Sequence, residues 1–232
     1  MSRVTAIHQP NFFPWLGYFD KIAQCDVFVV LDDVQYQKTG SNWSNRVKLL
    51  LAGEPRWVTA PVRRPAHGTA KIDELSWAQE PWREKLMRSL TMNYGSARFF
   101  RETMELIEPL VRNEEPMLAA YNLRAIRAIC EALGLQRSFV LSSSFHVETA
   151  SNERLISLCR HVGCDIYLTG GGAQDYQQDE LFVNAGIQVR HQDFQHPRYP
   201  QAGCGDFVPG LSVIDALMNC GIDGTRKVMG VA

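Results

Sequence analysis

The chain has 232 residues and a formal net charge of −1. That length allows one large domain or two small ones, with a core that needs no disulfide bonds, and we expect a single domain. The balanced charge creates no long-range field for nucleic acid or an anionic membrane surface, so we predict neither as a partner.

The amino terminus and the cysteines indicate a cytoplasmic protein. No apolar run approaches the ~20 residues that span a bilayer, and Met1-Ser2-Arg3 leads into a short strand rather than a signal peptide. The six cysteines are scattered and include no CxxC pair of the kind that holds tetrahedral zinc. We therefore predict buried thiols, no membrane span and no metal site.

The first elements predict a strand–helix–strand opening. Residues 4–7 form a short apolar strand, residues 16–24 have helical spacing, and residues 27–31 are β-branched and aromatic. Strands joined through a helix are usually parallel, with a right-handed crossover, so their carboxyl ends lie at the same edge of the sheet. We expect His8 and Asp32 to be neighbours there.

Helices interrupt this alternation in the middle of the chain. The later predicted elements are strands at 47–51 and 57–62, a loop at 63–68, helices within 81–134, a strand at 138–142, a helix at 151–162, strands at 165–169 and 187–190, and a helix at 211–218. We interpret residues 81–134 as a helical insertion. The predicted fold is α/β with a largely parallel sheet and a ligand site at the carboxyl edge of its strands.

The turn after the first strand is the first candidate site. Residues 8–18 combine two prolines, which restrict the turn, with aromatic side chains that supply flat apolar walls. We predict His8 as a catalytic acid–base group and Gln9, Asn11, Trp15 and Tyr18 as substrate contacts. The alternative is a core histidine beside a hydrophobic plug between sheet and helix.

Two polar segments follow the second predicted strand. The pair Asp32 and Asp33 could bind a metal or a sugar hydroxyl, or could cap an ordinary turn; we assign Asp32 to catalysis and Asp33 to substrate binding. In the next segment Arg46 offers a planar fork for phosphate or carboxylate, Trp43 a stacking face, and Asn45 a further contact. The alternative here is a solvated loop with one anchoring tryptophan.

A triple glycine ends a later strand, where open α/β sheets place ligands. The amides of Gly170, Gly171 and Gly172 can cradle an anion, although glycines also make ordinary tight turns. The remaining predicted substrate contacts are Tyr176, His196 and Tyr199. The sequence has no GxGxxG spacing, P-loop lysine, GxSxG elbow or obvious nucleophile with its base.

Five stretches together resemble the WbqC-like protein family: IHQPNFFPWLGYFDKIAQCDVFVVLDDVQY, SNRVKLL, DIYLTGGGAQDY, HPRYPQ and FVPGLSVIDALMNCG. They span nearly the whole chain, so the resemblance implies a single WbqC-like domain over residues 1–232. That family is associated with bacterial surface-polysaccharide gene clusters, and the resemblance implies a role in modifying amino sugars or transferring acyl groups there.

A more distant resemblance concerns the core. The strand, PxxGY-type turn, helix and CDVFVVLDD are similar to the opening of HIGH-type nucleotidylyltransferases and pantoate–β-alanine ligases, which adenylate a carboxylate and pass it to an amine; GCDIYLTGGGAQDYQQ resembles a later ligase segment. This implies a three-layer, nucleotidylyltransferase-like core. Trp15 and Tyr18 stand where that superfamily carries its two phosphate-binding histidines, which speaks against nucleotidyl transfer.

The function expected from these resemblances is transfer or ligation of an acyl or aminoacyl group to a nucleotide-linked amino sugar. The substrate would be an anionic small molecule containing a sugar or nucleotide, with Arg46 and the Gly170–Gly172 amides holding its anionic groups and ATP or acyl-CoA as candidate cofactors. The alternatives are a non-catalytic module that binds a sugar nucleotide or carboxylate, and a scaffold of a polysaccharide assembly complex. Donor, acceptor and oligomeric state stay open.

Overall fold

The computed structural model describes residues 2–37, 43–65, 68–170, 177–203 and 205–231. Its strands and helices are, in chain order, β1 (Val4–His8), α1 (Leu16–Ala23), β2 (Val27–Val30), β3 (Arg46–Leu51), β4 (Glu54–Thr59), β5 (Val62–Arg63), β6 (Ser76–Trp77), α2 (Trp82–Tyr94), α3 (Phe100–Arg112), α4 (Leu118–Ala132), β7 (Ser138–Leu141), α5 (Ser151–His161), β8 (Ile166–Thr169), α6 (Asp179–Asn184), β9 (Gln188–His191) and α7 (Val213–Met229). Within the described ranges, no helix has both the length and the apolar character needed to cross a membrane.

Contacts between residues divide the chain into two compact units. The first unit consists of residues 1–9, 17–33 and 136–195, and the second consists of residues 10–16, 34–135 and 196–232. The helical insertion predicted at 81–134 corresponds to α2, α3 and α4 within the second unit. The single domain predicted for residues 1–232 stays a prediction.

A five-stranded parallel sheet forms the centre of the first unit, in the order β7-β2-β1-β8-β9. Numbered along the unit's own chain, these strands lie in the order 3-2-1-4-5. The prediction that β1 and β2 are parallel neighbours is confirmed, with His8 opposite Val30. The α/β fold with a parallel sheet is thereby confirmed, and its strand order is compatible with a nucleotidylyltransferase-like core.

Helices cover both faces of this sheet. Successive side chains of a strand point to opposite faces. On β2, Phe28 packs against Tyr18 of α1, while Val29 joins the core cluster that includes Leu158 of α5 and Phe182 of α6. The central strands β1, β2 and β8 are largely apolar because both of their faces are buried, as is typical of parallel sheets. Helix, sheet and helix make up three layers.

The second unit combines two antiparallel strand pairs with the helices. Strands β3 and β4 form a hairpin that turns at Ala52 and Gly53, both with positive φ. The strand predicted at 57–62 is wrong in its bounds: β4 begins at Glu54 and ends at Thr59, and Pro61, which has no backbone N–H for a ladder, separates it from β5. Arg63, predicted as loop, belongs to β5 and pairs with Ser76.

The last helix is longer than predicted. The sequence prediction ends at Met218, whereas α7 continues to Met229 across a kink at Gly221, whose φ is 70°. The buried carboxylate of Asp215 on α7 accepts hydrogen bonds from Tyr94 and Tyr199 at 2.9 Å each. These contacts tie the helix to other parts of the second unit.

Candidate functional site

The first unit contains a topological switch point between β1 and β8. From β1 the chain continues to the neighbouring β2 on one side, and from β8 it continues to β9 on the other side. The two connections therefore diverge and leave a crevice at the carboxyl ends of β1 and β8, which is where open α/β sheets bind ligands. His8 is the last residue of β1, and Gly170 directly follows β8.

His8 is held in one orientation by its own turn. Its Nδ1 lies 3.0 Å from the carbonyl oxygen of Gln9, and its ring packs edge to face against Tyr18 with centroids 4.8 Å apart. The fully buried Tyr18 hydroxyl donates to the same carbonyl oxygen at 3.0 Å. A contact between Nδ1 and a carbonyl requires the proton on Nδ1, so Nε2 carries the lone pair.

The imidazole of His8 is neutral at physiological pH. Burial, assisted by the positive charge of Lys21, lowers the pKa of His8 from 6.5 to about 3. His8 therefore presents a hydrogen-bond acceptor rather than a cation at the switch point. Tyr18, predicted as a substrate contact, is buried and orients the turn.

Lys21 is a residue of this edge that the sequence analysis missed. It lies in the last turn of α1, yet only 6% of its surface is exposed. Its Nζ would lie 2.7 Å from a Cβ atom added to Gly170, so the amine reaches the end of β8. A lysine on the same helix face as Tyr18 and Cys25, at spacings of three and four residues, was the signal in the sequence.

Asp32 and Asp33 bind to residues that follow β7. The carboxylate of Asp32 accepts hydrogen bonds from the Ser142 hydroxyl at 3.0 Å and from the Ser143 amide and hydroxyl at 3.0 and 2.7 Å. Asp33 accepts from Ser142 and forms an ion pair with Arg154 on α5, with 2.5 Å between Nη2 and Oδ1. The two carboxylates thus fasten the end of β2 to the end of β7. Their predicted catalytic and substrate-binding roles stay predictions.

A chain of hydrogen bonds runs along the other side of the edge. The Thr169 hydroxyl donates to Gln177 at 2.6 Å, Gln177 donates to Asp179 at 2.6 Å, and Asp179 contacts Nε2 of His191 at 2.6 Å. The contact with His191, and to a lesser extent the hydrogen bond from Gln177, lower the pKa of Asp179. They order the ends of β8 and β9.

Three of the predicted tryptophan and arginine contacts meet in the second unit. Trp43 packs between Trp15 and Trp57, with ring centroids 4.6 and 4.5 Å away, and Arg46 lies over the Trp57 ring at 4.4 Å. Trp15, Trp43 and Arg46 therefore lie in one cluster with Trp57, and their roles as substrate contacts stay predictions. Trp43 is thus in contact with two other tryptophan rings.

The other predicted contacts of this unit are occupied by packing or hydrogen bonds. Asn11 is 2% exposed, and Asn45 accepts from Tyr36 and donates to the Ala60 carbonyl. Burial and the charge of Lys48 lower the pKa of His196. The Tyr199 hydroxyl donates to Asp215, as given above.

Three predicted site residues lie outside the described residues: Gly171, Gly172 and Tyr176. Among the residues that are described, no group of three or more histidine, cysteine, aspartate or glutamate side chains is arranged to hold a metal ion.

The fold defines an α/β protein whose parallel sheet has a switch point, the position at which such sheets bind ligands. The chain belongs to the WbqC-like protein family, whose family model matches residues 9–227. It is 32% identical over 224 residues to the uncharacterised protein Rv1507c of Mycobacterium tuberculosis, and the match covers 96% of each chain. No solved structure matches significantly. The family expected from the sequence is thus confirmed, while the relation to HIGH-type enzymes stays a prediction.

Proposed function

We propose that this protein is an enzyme of bacterial surface-polysaccharide biosynthesis that joins an acyl or aminoacyl group to the amino group of a nucleotide-linked sugar. Membership of the WbqC-like family supports the polysaccharide context. The observation that carries the catalytic part is His8, a neutral, oriented imidazole at the switch point of a parallel sheet.

The chemistry needs no nucleophile from the protein. The nitrogen of the sugar amine attacks the carbonyl carbon of an activated acyl group, supplied as a thioester such as acyl-CoA or as an acyl adenylate made from ATP. The new C–N bond replaces the bond to the thiolate or to AMP. The proton that the amine loses ends on the leaving thiolate, which departs as a thiol, or passes to water when AMP is the leaving group. Nε2 of His8 accepts a hydrogen bond from the amine, which directs the nitrogen lone pair towards the carbonyl.

The low pKa of His8 favours the alternative in which the protein binds its ligand without catalysis. An imidazole with a pKa of about 3 is a weak base, so the same crevice would also suit a non-catalytic module that binds a sugar nucleotide. The two functions differ in whether a product forms. Positioning of the amine, rather than proton transfer alone, would supply most of the rate in the enzymatic case.

Mass spectrometry of reaction mixtures tests the proposal. The protein would be incubated with nucleotide-linked amino sugars and either acyl-CoA or an amino acid with ATP. We expect the mass increase of one acyl group on the sugar, and a loss of about 10²-fold or more in rate for His8→Gln. His161→Gln is the matched control, because His161 is exposed on α5 and bonded to its own helix at Ser157.

The outcomes of this experiment distinguish an enzyme from a binding module and from a scaffold. A product formed equally by wild type and His8→Gln removes His8 from the mechanism. Stabilisation of the protein by a sugar nucleotide, with no product from any donor, identifies the binding module. A protein that neither binds nor modifies these compounds, but is retained by other polysaccharide-assembly proteins, identifies a scaffold.

A further inference from the structure

Lys21 is a buried cation for which the described residues supply no counter-charge. The described residues supply its Nζ with neither a carboxylate within ion-pair distance nor a hydrogen-bond acceptor. Burying an ammonium group costs free energy unless it is paired, and lysines are rarely buried alone. An anionic ligand would supply the partner that the described residues do not.

The ionisable groups that are described beside Lys21, His8 and Cys25, add no charge of their own at the switch point. His8 is neutral, and burial raises the pKa of the Cys25 thiol to about 12, so this thiol is neutral as well. Asp20, the neighbouring acid on α1, accepts hydrogen bonds from Gln24 and Gln192. Burial lowers the pKa of Lys21 to about 8, which leaves most of the amine protonated at neutral pH.

The end of β8 is shaped to admit the amine. A Cβ atom at position 170 would lie 2.7 Å from Nζ and 3.1 Å from Cε of Lys21, so any other residue there would displace the side chain. Gly170 therefore leaves room for the amine in this position. The ammonium and the backbone of Gly170 therefore lie together at the carboxyl end of β8, where parallel α/β folds bind phosphate groups.

We propose that Lys21, together with the backbone at Gly170, binds a phosphate group of the substrate at the switch point. This inference deepens the proposed function, on which it rests, by assigning the nucleotide diphosphate of the sugar donor or acceptor to the β1–β8 crevice. Lysine suits this ligand because it acts as a compact point charge towards phosphate oxygens. The neutral His8 then faces the uncharged part of the same substrate.

Isothermal titration with pyrophosphate and with a nucleoside diphosphate such as UDP tests the subsite. We expect the wild type to bind both, and Lys21→Met to bind at least tenfold more weakly. Lys85→Met removes the same charge from an exposed position in α2 and should bind like the wild type. Acetate and uridine serve as ligands without phosphate and should not bind.

The stability of the variants separates a binding role from a structural one. Replacing an unpaired buried charge by an apolar side chain of similar length is neutral or stabilising, so unliganded Lys21→Met should unfold at the same or a higher urea concentration than the wild type. Gly170→Ala keeps the lysine but crowds its amine, and should also weaken pyrophosphate binding.

Unchanged pyrophosphate binding by Lys21→Met, or a loss of stability that accompanies the loss of binding, overturns the subsite. Binding of acetate in preference to pyrophosphate overturns the choice of phosphate. The two hypotheses can fail separately. Pyrophosphate binding without any acyl transfer supports the phosphate subsite but not the proposed enzyme activity. Acyl transfer by a protein that does not bind pyrophosphate supports the enzyme activity and rejects the subsite.

Discussion

Replacing Arg154 by methionine should destabilise the first unit by about 3–4 kcal/mol. The side chains of Arg154 and Asp33 are only 14% and 9% exposed, so the substitution leaves a nearly buried carboxylate without its cation, which costs about 3–5 kcal/mol. Ser142 still donates a hydrogen bond to Asp33, so the loss of stability from the unpaired carboxylate lies at the lower end of this range. The bond from Arg154 to the Val147 carbonyl, at 2.7 Å, is also lost and adds about 1 kcal/mol.

Urea unfolding followed by circular dichroism measures this loss, and an exposed ion pair provides the control. Arg112 and Glu108 on α3 form a pair whose side chains are 52% and 45% exposed, so Arg112→Met should cost less than about 1 kcal/mol. Equal losses for the two arginine variants would refute the reasoning, because burial would then have no influence on the strength of the pair.

The loss of stability caused by Arg154→Met should depend on pH. Burial alone would raise the pKa of Asp33, but the Arg154 guanidinium and the Ser142 hydroxyl outweigh it and hold this pKa below the usual 3.8. A carboxyl whose pKa is lowered by folding contributes stability above its unfolded pKa and loses it as the pH falls. The difference between wild type and Arg154→Met should therefore be largest at neutral pH and shrink below about pH 3.8. A difference that grows in acid would contradict the assignment.

Two further substitutions test the second unit by the same unfolding measurement. Asp215→Ala removes the acceptor of buried hydroxyls, including that of Tyr94, and should cost about 3 kcal/mol or more; a loss below about 1 kcal/mol would contradict the bonds described. Gly221→Ala forces a side chain onto a φ of 70° and places its Cβ 2.6 Å from the Phe99 ring, whereas Gly186→Ala meets strain at a φ of 79° with no atom within 4 Å. Gly221→Ala should therefore lower the free energy of unfolding by about 1–3 kcal/mol more than Gly186→Ala does. Equal losses for the two variants would mean that Phe99 moves aside freely.

The sequence predicted the sheet edge well because its evidence is local. Apolar, β-branched runs joined through a helix imply parallel neighbours, and the observed register places His8 opposite Val30. The prediction that Asp32 lies near this edge follows from the same register. What the sequence did not reveal is that the Asp32 carboxylate binds Ser142 and Ser143, because that contact spans more than 100 residues of chain.

The aromatic turn shows where local evidence stops. Hydrophobic density at residues 8–18 fits a ligand wall and a core plug equally well. Phe12 is 1% exposed and packs against Trp77, Trp82 and Tyr121, so for this residue the plug is the correct interpretation. Periodicity cannot predict these partners, since they lie 65 to 109 positions further along the chain.

Charge at the carboxyl edge decides what kind of ligand the first unit can hold. The acids that follow β2 are compensated by the protein, since Asp33 is paired with Arg154 and Asp32 is bonded by Ser142 and Ser143. The cation that follows β1, Lys21, has no such compensation among the described residues. A cationic ligand would therefore meet an uncompensated positive charge, whereas an anionic one would supply the missing partner. An amino sugar meets this requirement only if it carries its own anion, which is what a linked nucleotide diphosphate provides.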